Sequence, residues 1–167
     1  TETWQPVVLS GLDHLPKNAL PQLLRRPSGT FLACWIEDIT IDGAPRTDYV
    51  LIGEQGDGPE SIPRPADFET TGTKESLARA LAGDRLVLAW CSKSLTDGWQ
   101  IHLASGTQLP LPDKAIITDG ARSGYYDHPA LAVLPGGCAV VWHSSEGDGG
   151  SGKIFFRLVR FPDALER

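Results

Sequence analysis

Apolar positions along this chain fall in short runs of strand length, and the runs recur in a fixed order. The segments PQLLRRPSGTFLACW (21–35), LARALAGDRLVLAW (77–90) and PALAVLPGGCAVVW (129–142) share one layout. Each reads as a short apolar strand, a tight turn, and a second strand ending on tryptophan. The turns carry Gly29, Gly83 or the pair Gly136–Gly137, and glycine tolerates the left-handed backbone that tight turns demand. From Trp35 to Trp90 is 55 residues and from Trp90 to Trp142 is 52, so the pattern is an internal repeat.

The segments after the three tryptophans match as well. A polar loop comes next, IEDITIDGAPRTD, CSKSLTDG or HSSEGDGGSGK, and then a third strand, YVLIG, WQIHL or IFFRLV. Aromatic and β-branched residues dominate those strands, as a pleated, half-buried surface requires. An outer strand is read in PVVLS (6–10), ADFET (66–70) and KAIIT (114–118). Antiparallel four-strand units at this period predict an all-β chain of the β-propeller class, with three four-stranded blades in one domain over 1–167. The repeats cover approximately 19–70, 76–118 and 128–161, with 6–10 as an outer strand completing a last blade. The second strands FLACW, LVLAW and CAVVW are apolar on both faces, as expected of a sheet packed between two neighbours. A sandwich of roughly twelve strands is the competing architecture, and it leaves the regular period unexplained.

Composition narrows the partners. At 167 residues, with 41% hydrophobic and 22% charged residues, the chain has material for one real core. A net charge of −6 argues against a nucleic-acid backbone as ligand. No apolar run approaches the roughly 18 residues of a membrane span. The opening TETWQPVV carries no basic-then-apolar leader, which leaves the compartment open because a leader can be removed. Cys34, Cys91 and Cys138 are odd in number and lack metal-ligand spacing, so they are expected as small buried hydrophobes.

The stretch ALAVLPGGCAVVWHSSEGDGGSGKIFFRLV (130–159) resembles the blade repeats of large bacterial hemolysin-type surface proteins. The likeness lies in a Gly-Gly turn, a Val-Val-Trp strand, a polar Asp/Gly/Ser loop and an aliphatic-aromatic strand, and it is strongest over 128–160. The first two repeats lack the Gly-Gly pair. The resemblance implies a bacterial propeller and favours a secreted or cell-surface setting. Propellers run from about four to eight blades, so three would leave sheet faces open to water. Two copies joined head to tail would give a homodimer with a six-bladed ring. Small oligomeric propeller lectins are similar in scheme. A fragment of a longer propeller, or a different three-blade partner, remains the other way to close the ring.

Strand order gathers the loops between second and third strands on one face with those leading into each first strand. Function concentrates in such loops. The candidates there include Asp13, His14, Glu37, Asp38, Asp48, Lys93, Asp97, His143 and Asp148. The ligand-binding set drawn from this face is Arg46, Trp99, Arg122, Tyr125, Tyr126, Asp127, His128 and Glu146. The loop RSGYYDHP (122–129) is the richest, since its aromatic faces suit a sugar's C–H face while Arg122 and Asp127 suit its hydroxyls. The plainer reading is that the tyrosines cap a blade interface and Asp127 caps a turn.

A lectin-like, non-catalytic carbohydrate-binding propeller is therefore expected, with a protein-interaction subunit as the alternative. A glycoside-cleaving enzyme ranks lower: no spacing singles out a carboxylate pair, and no nucleophile motif accompanies Asp13–His14 or Asp127–His128. Ser94, Asp97, Gly98 and Trp99 resemble a sialidase Asp-box but miss its spacing. No cofactor is expected. Glu146 and Asp148 are the one calcium candidate, in a loop that lacks alternating acidic ligands and reads more readily as a turn.

Overall fold

The computed structural model describes residues 15–16, 21–39, 47–54, 64–65, 73–94, 98–118, 125–145 and 152–161. At 15–16, 38–39, 47–49, 51, 64–65, 73 and 94 it describes the backbone only. The regular elements among the described residues are all strands, arranged in three antiparallel sheets. No helix among them is long and apolar enough to cross a membrane.

The first sheet contains β1 (Leu15–Pro16), β2 (Gln22–Arg25), β3 (Phe31–Ile39), β4 (Thr47–Glu54) and β5 (Arg64–Pro65). β1 and β2 follow one another along the same edge of β3, so this sheet is four strands wide. The second sheet is the meander β6 (Thr73–Ala82), β7 (Arg85–Ser94), β8 (Gly98–Gly106) and β9 (Asp113–Ile116). The third is β10 (Tyr126–Leu134), β11 (Gly137–Ser144) and β12 (Lys153–Arg160). The expected outer strand at 114–118 appears as β9. The outer strands read at 6–10 and 66–70 lie outside the described residues.

Local chemistry explains the turns. Gly29, Gly83 and Gly136 sit at φ +95°, +61° and +74°, backbone that other residues adopt only at a cost. Gly137 is needed for a different reason: a Cβ there would run into the backbone carbonyl of Val159 on the paired strand.

Each tryptophan holds the same place in its sheet. Trp35 pairs with Leu51, Trp90 with His102 and Trp142 with Phe155 across the second and third strands. Trp90 stacks on His102 and Trp142 on Phe155, with ring centroids 5.7 and 5.9 Å apart. All three tryptophans are buried, as are the three cysteines, which are unpaired.

Strand alternation divides each sheet into two faces, and the faces stack in chain order. Leu32, Cys34, Ile36, Val50 and Ile52 of the first sheet pack on Leu86, Leu88, Trp90 and Ala104 of the second. The opposite face of the second sheet, Val87, Ala89, Cys91, Ile101 and Leu103, packs on Tyr126, Cys138, Val140 and Trp142 of the third. β7 is thus covered on both faces, as its apolar run implied. β11 is not. Its Val141 is exposed, and on the neighbouring strand Ile154, Phe156 and Leu158 are 73%, 70% and 63% exposed. Among the described residues no element lies against the outer face of the last sheet, as expected of a stack of three sheets that is not closed.

Candidate functional site

The first strands of the second and third sheets carry the same irregularity. In β6 the register shifts between Glu75 and Ala78, and in β10 it shifts between Asp127 and Ala130. Each bulge places a non-glycine residue in the left-handed region, Ser76 at φ +51° and His128 at φ +50°. In the first sheet the corresponding place is the step from β1 to β2, since Pro16 pairs with Glu37 and Gln22 with Cys34. Bulges re-aim side chains, and here they bring polar groups together between two sheets that otherwise meet through an apolar core.

Asp127 is the centre of that cluster. Its Oδ1 accepts hydrogen bonds from Ser76 Oγ at 2.6 Å and from the His128 backbone N–H at 2.6 Å. The Cys91 thiol also donates to it, at 3.9 Å, and Oδ2 lies 2.6 Å from His128 Nδ1. Asp127 is buried, whereas the His128 side chain stands in solvent. Beside it, Tyr125 donates from its hydroxyl to Glu75 Oε2 at 3.2 Å. The Tyr125 ring meets Trp99 edge to face at 4.8 Å, and Lys93 Nζ lies 5.8 Å from the Trp99 ring centre.

Burial, with the charges of Asp127 and Glu75 adding to it, pushes the Cys91 thiol up to about 12. Partial burial and the same two carboxylates also push the Tyr125 hydroxyl up to about 12. Both groups therefore stay protonated at neutral pH and act as donors. Ser76 donates to the carboxylate and not to an imidazole nitrogen, so Ser76, Asp127 and His128 do not form a nucleophile–base pair.

The residues expected to bind ligand divide into three groups. Trp99, Tyr125 and His128 reach solvent at one end of the second and third sheets. Tyr126 is buried within the core between those sheets, and Asp127 is occupied by the bulges, which matches the plainer reading of this loop. Arg46, Arg122 and Glu146 lie outside the described residues, as do Asp13, His14, Asp97 and Asp148. Of the wider candidates, Glu37 is buried and accepts from Trp35 Nε1 at 3.0 Å, a structural role. No cluster of three or more metal-ligating side chains occurs among the described residues.

Glu75 and Ser76 did not figure among the expected site residues. The signal was present: each precedes its partner in the next repeat, Asp127 or His128, by the Trp90–Trp142 spacing of 52. Comparison with known proteins returned no matching family model, no matching curated protein and no matching solved structure.

Proposed function

We propose that this chain is a binding module, a three-bladed propeller segment that a second copy completes to six blades, with a carbohydrate site beside Trp99 and Tyr125. The observation that carries the reading is the Trp99–Tyr125 pair at 4.8 Å, flanked by the Lys93 ammonium and the Glu75 carboxylate. Rings of this kind stack on the C–H face of a sugar, and the flanking charges bond its hydroxyls. The sheets beneath are packed through their cores, so the site is held by a rigid scaffold and needs little ordering on binding.

The test is a glycan array probed with the purified chain, followed by calorimetry on any hit. Trp99→Ala should weaken a hit by about two- to tenfold, as loss of a stacking ring costs ~0.5–1.5 kcal/mol. Tyr125→Phe, which keeps the ring and loses the bond to Glu75, should weaken it less. Binding unchanged in Trp99→Ala would place the sugar elsewhere, and an array without hits would overturn the carbohydrate assignment. A protein-interaction role is the second reading, favoured by the exposed apolar residues of β12.

A further inference from the structure

Ser76 and His128 hold the same left-handed place in their bulges, 52 residues apart, and use it in opposite ways. Ser76 turns its hydroxyl inward, 2.6 Å from Asp127 Oδ1. His128 turns its ring outward, and the imidazole is 79% exposed. A left-handed histidine is costly backbone that persists only where its neighbours hold it, and such residues gather at functional sites. Here the holder is Asp127, which accepts the His128 amide N–H on Oδ1 and stands 2.6 Å from the ring nitrogen Nδ1 through Oδ2.

The donors around Asp127 decide which ring nitrogen carries the proton. Oδ1 takes the Ser76 hydroxyl, the His128 amide and the Cys91 thiol, and an aspartate side chain brings no proton of its own at neutral pH. An Nδ1–Oδ2 distance of 2.6 Å needs one proton between the two atoms, so that proton sits on Nδ1. The neutral ring then carries a bare Nε2, an acceptor, at its solvent end. Asp127 is buried and tied to the second sheet, so one fixed group both aims the ring and sets its tautomer.

The charges of Asp127 and Glu75 both reach the Tyr125 hydroxyl, which puts His128 at the same end of the sheets as the Trp99–Tyr125 pair. The titratable groups there are Glu75 from β6, Cys91 and Lys93 from β7, and Tyr125 and Asp127 beside and within β10. Lys93 can only donate, whereas Nε2 of the neutral ring can only accept.

We propose that His128 is a ligand-contacting residue of this site, receiving a sugar hydroxyl on Nε2, and that Asp127 is the positioning residue that sets its tautomer. This rests on the carbohydrate reading of the site. The substrate class follows from the proton: a free hydroxyl can donate to Nε2, and a methylated one cannot.

The experiment is nitrogen NMR of the histidine rings in the full chain labelled with ¹⁵N-histidine, at about pH 8, where an imidazole is neutral. Spectra are taken with and without the methyl glycosides of glucose, galactose and mannose. His128→Phe removes one of the four histidine signals and so identifies it. The expected wild-type ring has Nδ1 protonated and Nε2 bare. Asp127→Asn should reverse this, because an amide N–H then faces Nδ1. A glycoside that shifts the Trp99 indole signal should also shift His128 Nε2, and should bind His128→Phe about two- to tenfold more weakly. The wild-type spectrum decides the tautomer even if Asp127→Asn does not fold. A wild-type ring protonated on Nε2 would overturn the inference whatever the sugars do. A glycoside that moves Trp99 and leaves Nε2 unmoved would overturn the His128 contact and keep the carbohydrate site. No shift at either residue would overturn the contact and, together with an array without hits, the carbohydrate site as well.

Discussion

Replacing Asp127 by alanine tests whether one buried carboxylate ties the second and third sheets together. The side chain accepts from Ser76 Oγ and the His128 amide, both at 2.6 Å, and from the Cys91 thiol at 3.9 Å. A hydrogen bond to a charged group contributes about 1.5–3 kcal/mol. The two short bonds therefore set a ceiling near about 6 kcal/mol, and rotation of the Ser76 hydroxyl toward another acceptor recovers part of it. The long thiol contact adds little. The contact with the His128 side chain adds about 1 kcal/mol at most, because the imidazole is 79% exposed. The expected loss is about 3 kcal/mol for Asp127→Ala, and about half that for Asp127→Asn, which keeps an acceptor oxygen but loses the charge. The assay is urea unfolding followed by tryptophan fluorescence, at one fixed concentration so that association does not shift the midpoint. His128→Ala serves as the control and should cost under about 1 kcal/mol. A loss below about 0.5 kcal/mol for Asp127→Ala would refute the role given to the carboxylate.

The thiols and Tyr125 make stability fall at alkaline pH. Burial pushes Cys34 and Cys91 from 9.0 to about 12, it raises Cys138 as well, and Tyr125 moves from 10.0 to about 12. Above pH 9 the unfolded chain loses these protons first, so their contribution is whole below pH 9 and declines as pH rises toward 12. The urea midpoint should fall progressively as pH rises from 9.0 toward about 12, between the free and the buried thiol values. A thiol-reactive dye at pH near 8 should label the folded chain slowly and all three cysteines once it is unfolded; prompt labelling of the native chain would contradict the burial. Gly137→Ala should lower the melting temperature more than Gly83→Ala, since a methyl group at 137 collides with the Val159 carbonyl of β12 whereas at 83 it enters open space and meets only left-handed strain of about 1 kcal/mol. Equal melting temperatures would remove the packing explanation for Gly137.

The repeat was legible because turns and strand ends are local. Left-handed turns select glycine at 29, 83 and 136, and a strand ending in tryptophan recurs after each. Composition and period together determined an all-β chain of short antiparallel strands. Which face of β11 lies against protein was not legible, because its run is apolar on both sides and periodicity then carries no direction. Only the stacking of sheets buried Val140 and left Val141 exposed. The site shows the same division. Tyr125 and Tyr126 are neighbours of one type, yet Tyr125 lies just ahead of β10 and reaches solvent while Tyr126, its first residue, turns into the core. The bulge after Asp127 then moves the rest of β10 by one place in the pleat, a shift that exchanges the two faces of a strand. The bonds that occupy Asp127 come from Ser76 and Cys91, 51 and 36 residues away. Local backbone preference fixes turns and strands within a few residues. The choice of buried face, and the partners of a carboxylate between two sheets, depend on contacts that exist only after the sheets have stacked.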